Sequence, residues 1–136
     1  MLPSPNGSTI SFELAAAVPD VIGVSLRNRQ AAAKWLLQRR QRQPTLRIAV
    51  IAPGERWPDG SLRPAIEDQW GAGGLIDLPC EAEWQGVAPE AHAAAAAYRA
   101  IAHDILIALG QCASGRELIE IGFADDVRTR VAALVD

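Results

Sequence analysis

The chain has 136 residues, 49% of them hydrophobic, with 13 basic and 16 acidic side chains and a formal charge of −3. That length suits one domain with a real core and excludes two. The slight acidic excess argues against a general nucleic-acid binder, which carries a basic surplus. The two cysteines, Cys80 and Cys112, form no C-x-x-C pair, and no histidine stands at zinc-ligand spacing from either, so both are read as reduced thiols. The start, Met1-Leu2-Pro3-Ser4-Pro5, lacks the charged and apolar regions of a signal peptide. His92 and the pair Tyr98-Arg99 interrupt the alanine-rich stretch, so no membrane-spanning run is expected. These features predict a cytoplasmic protein that binds neither nucleic acid nor membrane.

In chain order, Ser8 is a candidate N-cap for a short helix over 9–18, which Pro19-Asp20 ends. Residues 21–26 are nearly continuous in apolar side chains, as in a strand covered on both faces. Asn28 is placed to cap a helix over 29–42 with Ala32, Trp35 and Leu36 on its buried face. Arg39, Arg40 and Arg42 suit the C-terminal end of that helix, and Pro44 stops it. Residues 47–52 read as a second buried strand. Strand, helix and strand in this order predict a parallel pair with a right-handed crossover.

Residues 53–63 form a polar loop rich in Gly, Pro and charge. Pro64 opens a helix covering Ala65 to about Gly71, and residues 72–88 carry no clear pattern. Pro89 opens a long helix to about Leu109 with Tyr98, Ile101, Ile105 and Leu109 on its buried stripe. Ser114 with Glu117 forms a capping-box pattern for a helix over 115–121, and 124–134 reads as a last helix. The expected fold is α/β, a three-layer α/β/α arrangement with a short, mostly parallel sheet. Two parallel strands do not make a stable sheet alone. Further strands are therefore expected upstream of Met1 or on another subunit, making the chain a truncated half of a larger domain.

Ligands of open α/β sheets gather beyond the carboxyl ends of the strands. Arg27-Asn28 and the loop from Pro53 to Ser61 follow the two predicted strands, and a loop that polar suggests function. Ser4 to Thr9 offers hydroxyls and backbone N–H groups at a helix start, either an anion cradle or an ordinary cap. Glu55, Asp59, Glu67 and Asp68 are hard oxygen donors, suited to Mg²⁺ or to a solvated helix face. His92 and His103 lie about 16 Å apart along one helix and cannot share an ion. No P-loop, G-x-G-x-x-G or nucleophile–histidine motif occurs.

Three stretches resemble the 2-phosphosulfolactate phosphatase family. They are Ser4-Pro5-Asn6-Gly7-Ser8 followed by Leu26-Arg27-Asn28; Ala52 to Asp68 running into Gly71-Ala72-Gly73; and Cys112 to Glu120 with Gly122 to Val127. They span nearly the whole chain. The resemblance implies an Mg²⁺-dependent phosphatase acting on a small anionic phosphorylated acid, as in coenzyme M synthesis. It implies substrate binding by Asn6, Gly7, Ser8 and Asn28, and phosphate or sulfonate pairing by Arg27, Arg56 or Arg63. It places Glu55 and Asp59 among the catalytic carboxylates and Glu67 and Asp68, with Glu55 a further candidate, at the metal. Family members also carry an N-terminal half with its own metal-binding aspartate, which is not found in this sequence. The alternative is a catalytically incomplete domain that works as a homo-oligomer or with a separate N-terminal partner.

Overall fold

The computed structural model describes residues 5–82 and 84–123. Its elements, in chain order, are α1 (Pro5–Ala15), α2 (Arg29–Arg42), β1 (Glu55–Arg56), β2 (Leu62–Arg63), α3 (Ile66–Glu81), α4 (Pro89–Ile101), a 3₁₀ turn (Ala102–Asp104), α5 (Ile105–Gln111) and α6 (Ala113–Glu120). The chain is mostly helical. Among the described residues the sheet is a two-stranded antiparallel hairpin, which corrects the expected mostly parallel sheet in three layers.

The reason lies in the ladder. Residues 21–26 and 47–52 have the apolar character of buried strands but pair with no strand among the described residues. Without a neighbour to take their N–H and C=O groups, they remain coil. Their side chains stay open to water, with Ile22 43% and Ile51 50% exposed. The loop after 47–52 forms the hairpin instead, with Glu55 opposite Arg63 and Arg56 opposite Leu62. Its turn closes through Trp57 N–H to Ser61 O and Gly60 N–H to Trp57 O. Gly60 holds a positive φ of 85° there, which a side chain would resist.

Helix α2 has the bounds its sequence predicts, 29–42. Asn28 stands at its N-cap position but makes no capping bond. Its amide turns back instead: Oδ1 accepts from Ser25 N–H at 2.7 Å and Nδ2 donates to Gly23 O at 3.1 Å, holding the turn before the helix. Ala33 and Leu36 meet Leu75 of α3 in the core, with Val24, Ala32, Leu78 and Trp84 around them. Trp35, expected inside, is exposed and stacks with Arg39.

Helix α3 runs well past the expected stop at Gly71, through Gly73, Gly74 and Pro79. Local propensity reads those residues as breakers, but here they are contact surfaces. A Cβ on Gly73 would sit 2.1 Å from the Ala94 carbonyl oxygen and 2.9 Å from Tyr98 Cβ. The absent side chain lets α3 and α4 approach backbone to backbone, burying Ala95 and Tyr98.

The 3₁₀ turn at 102–104 interrupts the long helix expected over 89–109, so Tyr98 is buried while Ile101, Ile105 and Leu109 are only half-buried. The combined helical run Pro89–Gln111 is long and apolar enough to cross a membrane by length and composition, a test that a packed core helix also passes. Its first part is packed against α3. Helix α6 is capped by Cys112, whose Sγ accepts from Gly115 N–H, rather than by Ser114. The helix expected at 124–134 lies outside the described residues.

Candidate functional site

Helix α1 begins at Pro5, so Asn6, Gly7 and Ser8 form its first turn instead of preceding it. Proline suits that position because its missing N–H would have no helical partner. The helix dipole makes that end favourable to negative charge. The turn contains no acidic residue.

Asn6 is 4% exposed and ties this helix start to the hairpin. Its Nδ2 donates to Gly54 O at 3.1 Å, and its Oδ1 accepts from Arg56 Nε at 2.8 Å. Gly54 N–H in turn donates to Asp68 Oδ2 at 2.8 Å. Gly54 has a φ of +65°, and a Cβ on it would lie 2.8 Å from Arg63 O. One hydrogen-bonded chain therefore joins α1, the hairpin and the head of α3 through Asn6, Gly54, Arg56 and Asp68.

The three candidate arginines are in different situations. Arg63 Nη1 and Nη2 donate to the two carboxylate oxygens of Glu117 at 3.0 and 2.6 Å, and Glu55 lies 3.1 Å away. Its guanidinium also stacks over Trp57 at 4.9 Å. Arg63 is thus neutralised twice and serves as a brace between hairpin and α6. Arg56 has a second bond, Nη1 to Gly60 O at 2.8 Å, and among the described residues no carboxylate pairs with it. Arg27 is exposed in the turn before α2, and no hydrogen bond among the described residues links it to Asn6 or the hairpin. The Asn-Gly turn and the acidic loop meet through Asn6.

The brace sets a pH prediction. The hydrogen bonds from Arg63 hold the Glu117 carboxyl below its ordinary 4.5. A carboxyl with a depressed folded pKa contributes stability that is present above 4.5 and is lost as pH falls through the lower folded value. The melting-temperature gap between wild type and Glu117→Gln should therefore close as pH is taken below 4.5. A gap that stays constant to pH 2 would contradict the brace.

The carboxylates differ too. Asp59 Oδ1 accepts from Ser61 N–H at 2.9 Å and Ser61 Oγ at 2.6 Å, so it shapes the hairpin turn, and those bonds hold its pKa down. Glu55, on β1, has its carboxylate beside Arg63 and is partly open to solvent. The Cys112 thiol donates to Leu109 O at 3.1 Å, and its pKa is pushed up, first by burial and also by the nearby charge of Glu67. Asp68 is half-buried, and its carboxyl is pushed up, first by burial and then by the nearby charges of Glu67 and Glu55, against the bond from Gly54.

No three His, Cys, Asp or Glu side chains gather into a metal cage among the described residues. The hard oxygens at the head of α3 fit only the open mode, in which one or two carboxylates hold Mg²⁺ and substrate and water complete the shell. Two surface clefts, one lined by Leu37, Arg40 and Trp84 and the other by Arg29, Tyr98 and His103, share no residue with this network. The candidate site is an open junction rather than a closed pocket. Glu117 was invisible as a partner of Arg63 in the sequence, where it reads as the third residue of a capping box.

No curated protein and no solved structure matches the chain. The profile of 2-phosphosulpholactate phosphatase matches residues 1–133, so the network of Asn6, Gly54, Arg56 and Asp68 lies within matched sequence, and the chain belongs to the 2-phosphosulpholactate phosphatase family.

Proposed function

We propose that this chain hydrolyses the phosphate ester of a small acid such as 2-phosphosulfolactate, with Mg²⁺, at the junction of α1, the hairpin and α3. The observation that carries the reading is Arg56. It is fixed at Nε by a buried asparagine and at Nη1 by a carbonyl, and no carboxylate among the described residues competes for its charge. A guanidinium oriented in this way suits a phosphate or sulfonate oxygen pair. The positive end of the α1 dipole, at the turn that supplies Asn6, favours the same anion.

In this reading a water oxygen attacks phosphorus and the ester P–O bond breaks. Glu55, next to Arg56 in sequence and held by Arg63, takes the proton from the attacking water. The departing alkoxide takes a proton from solvent. Glu67 and Asp68 would hold Mg²⁺, which when bound neutralises charge on the phosphoryl oxygens. Asp59 stays in the turn and keeps the hairpin in shape.

Asp68→Asn tests the reading. The amide oxygen still accepts from Gly54 N–H, while the charge that burial disfavours is gone. At neutral pH the variant should melt at or slightly above the wild-type temperature, yet lose Mg²⁺-dependent phosphate release from 2-phosphosulfolactate. Turnover in the variant equal to wild type, or release insensitive to EDTA, contradicts it.

A second reading is favoured by the unladdered apolar segments. Residues 21–26 and 47–52 have the composition of buried strands and no strand partner among the described residues. In this reading the site is completed only when another copy, or a separate chain supplying the N-terminal half, adds strands to them. Hydrogen exchange distinguishes the two. Amides of 47–52 should exchange quickly in dilute monomer and become protected as sedimentation mass rises with concentration, or on adding the other half. Strong protection in a monomer excludes this second reading.

A further inference from the structure

We propose that Cys80 on α3 and His92 on α4 form a two-residue binding site for a thiophilic divalent cation, zinc, at the opposite end of α3 from Glu67 and Asp68. The two side chains are twelve positions apart in sequence, with Cys80 Sγ and His92 Nδ1 3.7 Å apart in space. Zinc bound to a sulfur at about 2.3 Å and a nitrogen at about 2.0–2.1 Å, at a tetrahedral angle, separates those atoms by about 3.6 Å. The pair is already spaced as two ligands of one ion, so binding demands little movement.

The elements that carry the pair are firmly placed. The backbone approach at Gly73 and Ala94 fixes how α3 and α4 lie together. Asp77, one turn before Cys80 on α3, pairs with Arg99 of α4 at 2.6 Å. That ion pair puts one charge of each sign beside the site. Pro79 is buried in the last turn of α3, immediately before Cys80. Rigid supporting elements of this kind hold ligands at a set distance.

The site is also accessible. His92 is exposed and Cys80 half-buried. No third His, Cys, Asp or Glu joins them among the described residues, so two coordination positions are left for water or a ligand molecule. Zinc binding converts the Cys80 thiol to a thiolate and releases its proton to solvent. The site is chemically separate from the oxygen donors at the head of α3: sulfur and imidazole select zinc, carboxylates select magnesium.

Cobalt(II) reports on such a site because a cobalt–thiolate bond absorbs in the near ultraviolet. Titrating the full chain with Co²⁺ should produce that band with one equivalent, and added Zn²⁺ should abolish it while Mg²⁺ leaves it in place. Cys80→Ser should remove the band, Cys112→Ser should keep it, and His92→Gln should weaken Co²⁺ binding at least tenfold. Circular dichroism of each variant shows whether the fold is kept. No band in wild type, a band that follows Cys112, or binding indifferent to His92→Gln overturns the proposal. None of these results depends on phosphatase activity.

Discussion

Gly73→Ala is expected to destabilise the chain by about 3 kcal/mol or more, a fall in melting temperature of roughly 10 °C. The new Cβ would lie 2.1 Å from the carbonyl oxygen of Ala94, deep inside contact distance, and the obstructing atom is backbone. Relief requires α3 and α4 to separate, which exposes Ala95 and Tyr98. That is a large share of the stability typical of a domain this size. Gly71→Ala is the control. It lies in the same helix, and a Cβ there meets nothing within 4 Å. Alanine at an open helical position stabilises by about 0.5–1 kcal/mol. Gly74→Ala should fall between them, because the closest atom to its Cβ is Cδ of the flexible Arg29 side chain at 2.9 Å. Thermal melts of the three variants check the order. Equal effects at 71 and 73 would mean that α3 and α4 do not pack through this glycine.

Arg56→Ala should lower kcat/KM for phosphate release by about 10²–10³, the usual loss when one oriented donor to a transition-state oxyanion is removed. Arg56→Lys should recover only a small part of it. Lysine restores a charge but not the planar fork, and a lysine ammonium cannot keep the bond from Nε to Asn6 while reaching outward. Asn6→Ala should reproduce much of the Arg56→Ala loss through a residue that need not touch substrate, since Asn6 Oδ1 sets the guanidinium and Asn6 Nδ2 holds Gly54. Arg63→Ala, in contrast, acts through the brace to Glu55 and Glu117 and should also weaken the fold at neutral pH. Steady-state kinetics with melts of the same four variants separate these roles. A small effect at Arg56 together with a larger one at Arg27 would assign the anion to the wrong arginine in this account.

What the sequence made legible followed the range of the interactions involved. Helix α2 was readable to its end residues because the turn held by Asn28 before it and Pro44 after it are set by residues within a turn of the helix. The far half of α3 was not, since Gly73, Gly74 and Pro79 break helices by local propensity and are kept in this one by a neighbour some twenty residues later. The apolar runs at 21–26 and 47–52 state a need for burial, but a strand exists only with a partner, and the described chain provides none. The candidate site divides in the same way. Its motifs were visible as stretches, whereas the contacts from Asn6 to Gly54 and from Arg63 to Glu117 join residues roughly fifty positions apart. Charge counts alone could not separate Arg56 from Arg63. Only the geometry shows that one is paired with two carboxylates and the other with none among the described residues.

Anion binding where the first turn of α1 meets the hairpin underlies the proposed chemistry, and titration with inorganic phosphate followed by ¹H–¹⁵N correlation spectra tests it without requiring turnover. Amide signals of residues 6–8 and 54–60 should shift together along one saturating curve, and Arg56→Ala should abolish the movement while leaving the rest of the spectrum in place. Shifts confined to other parts of the chain, or the same curve in Arg56→Ala, would contradict it.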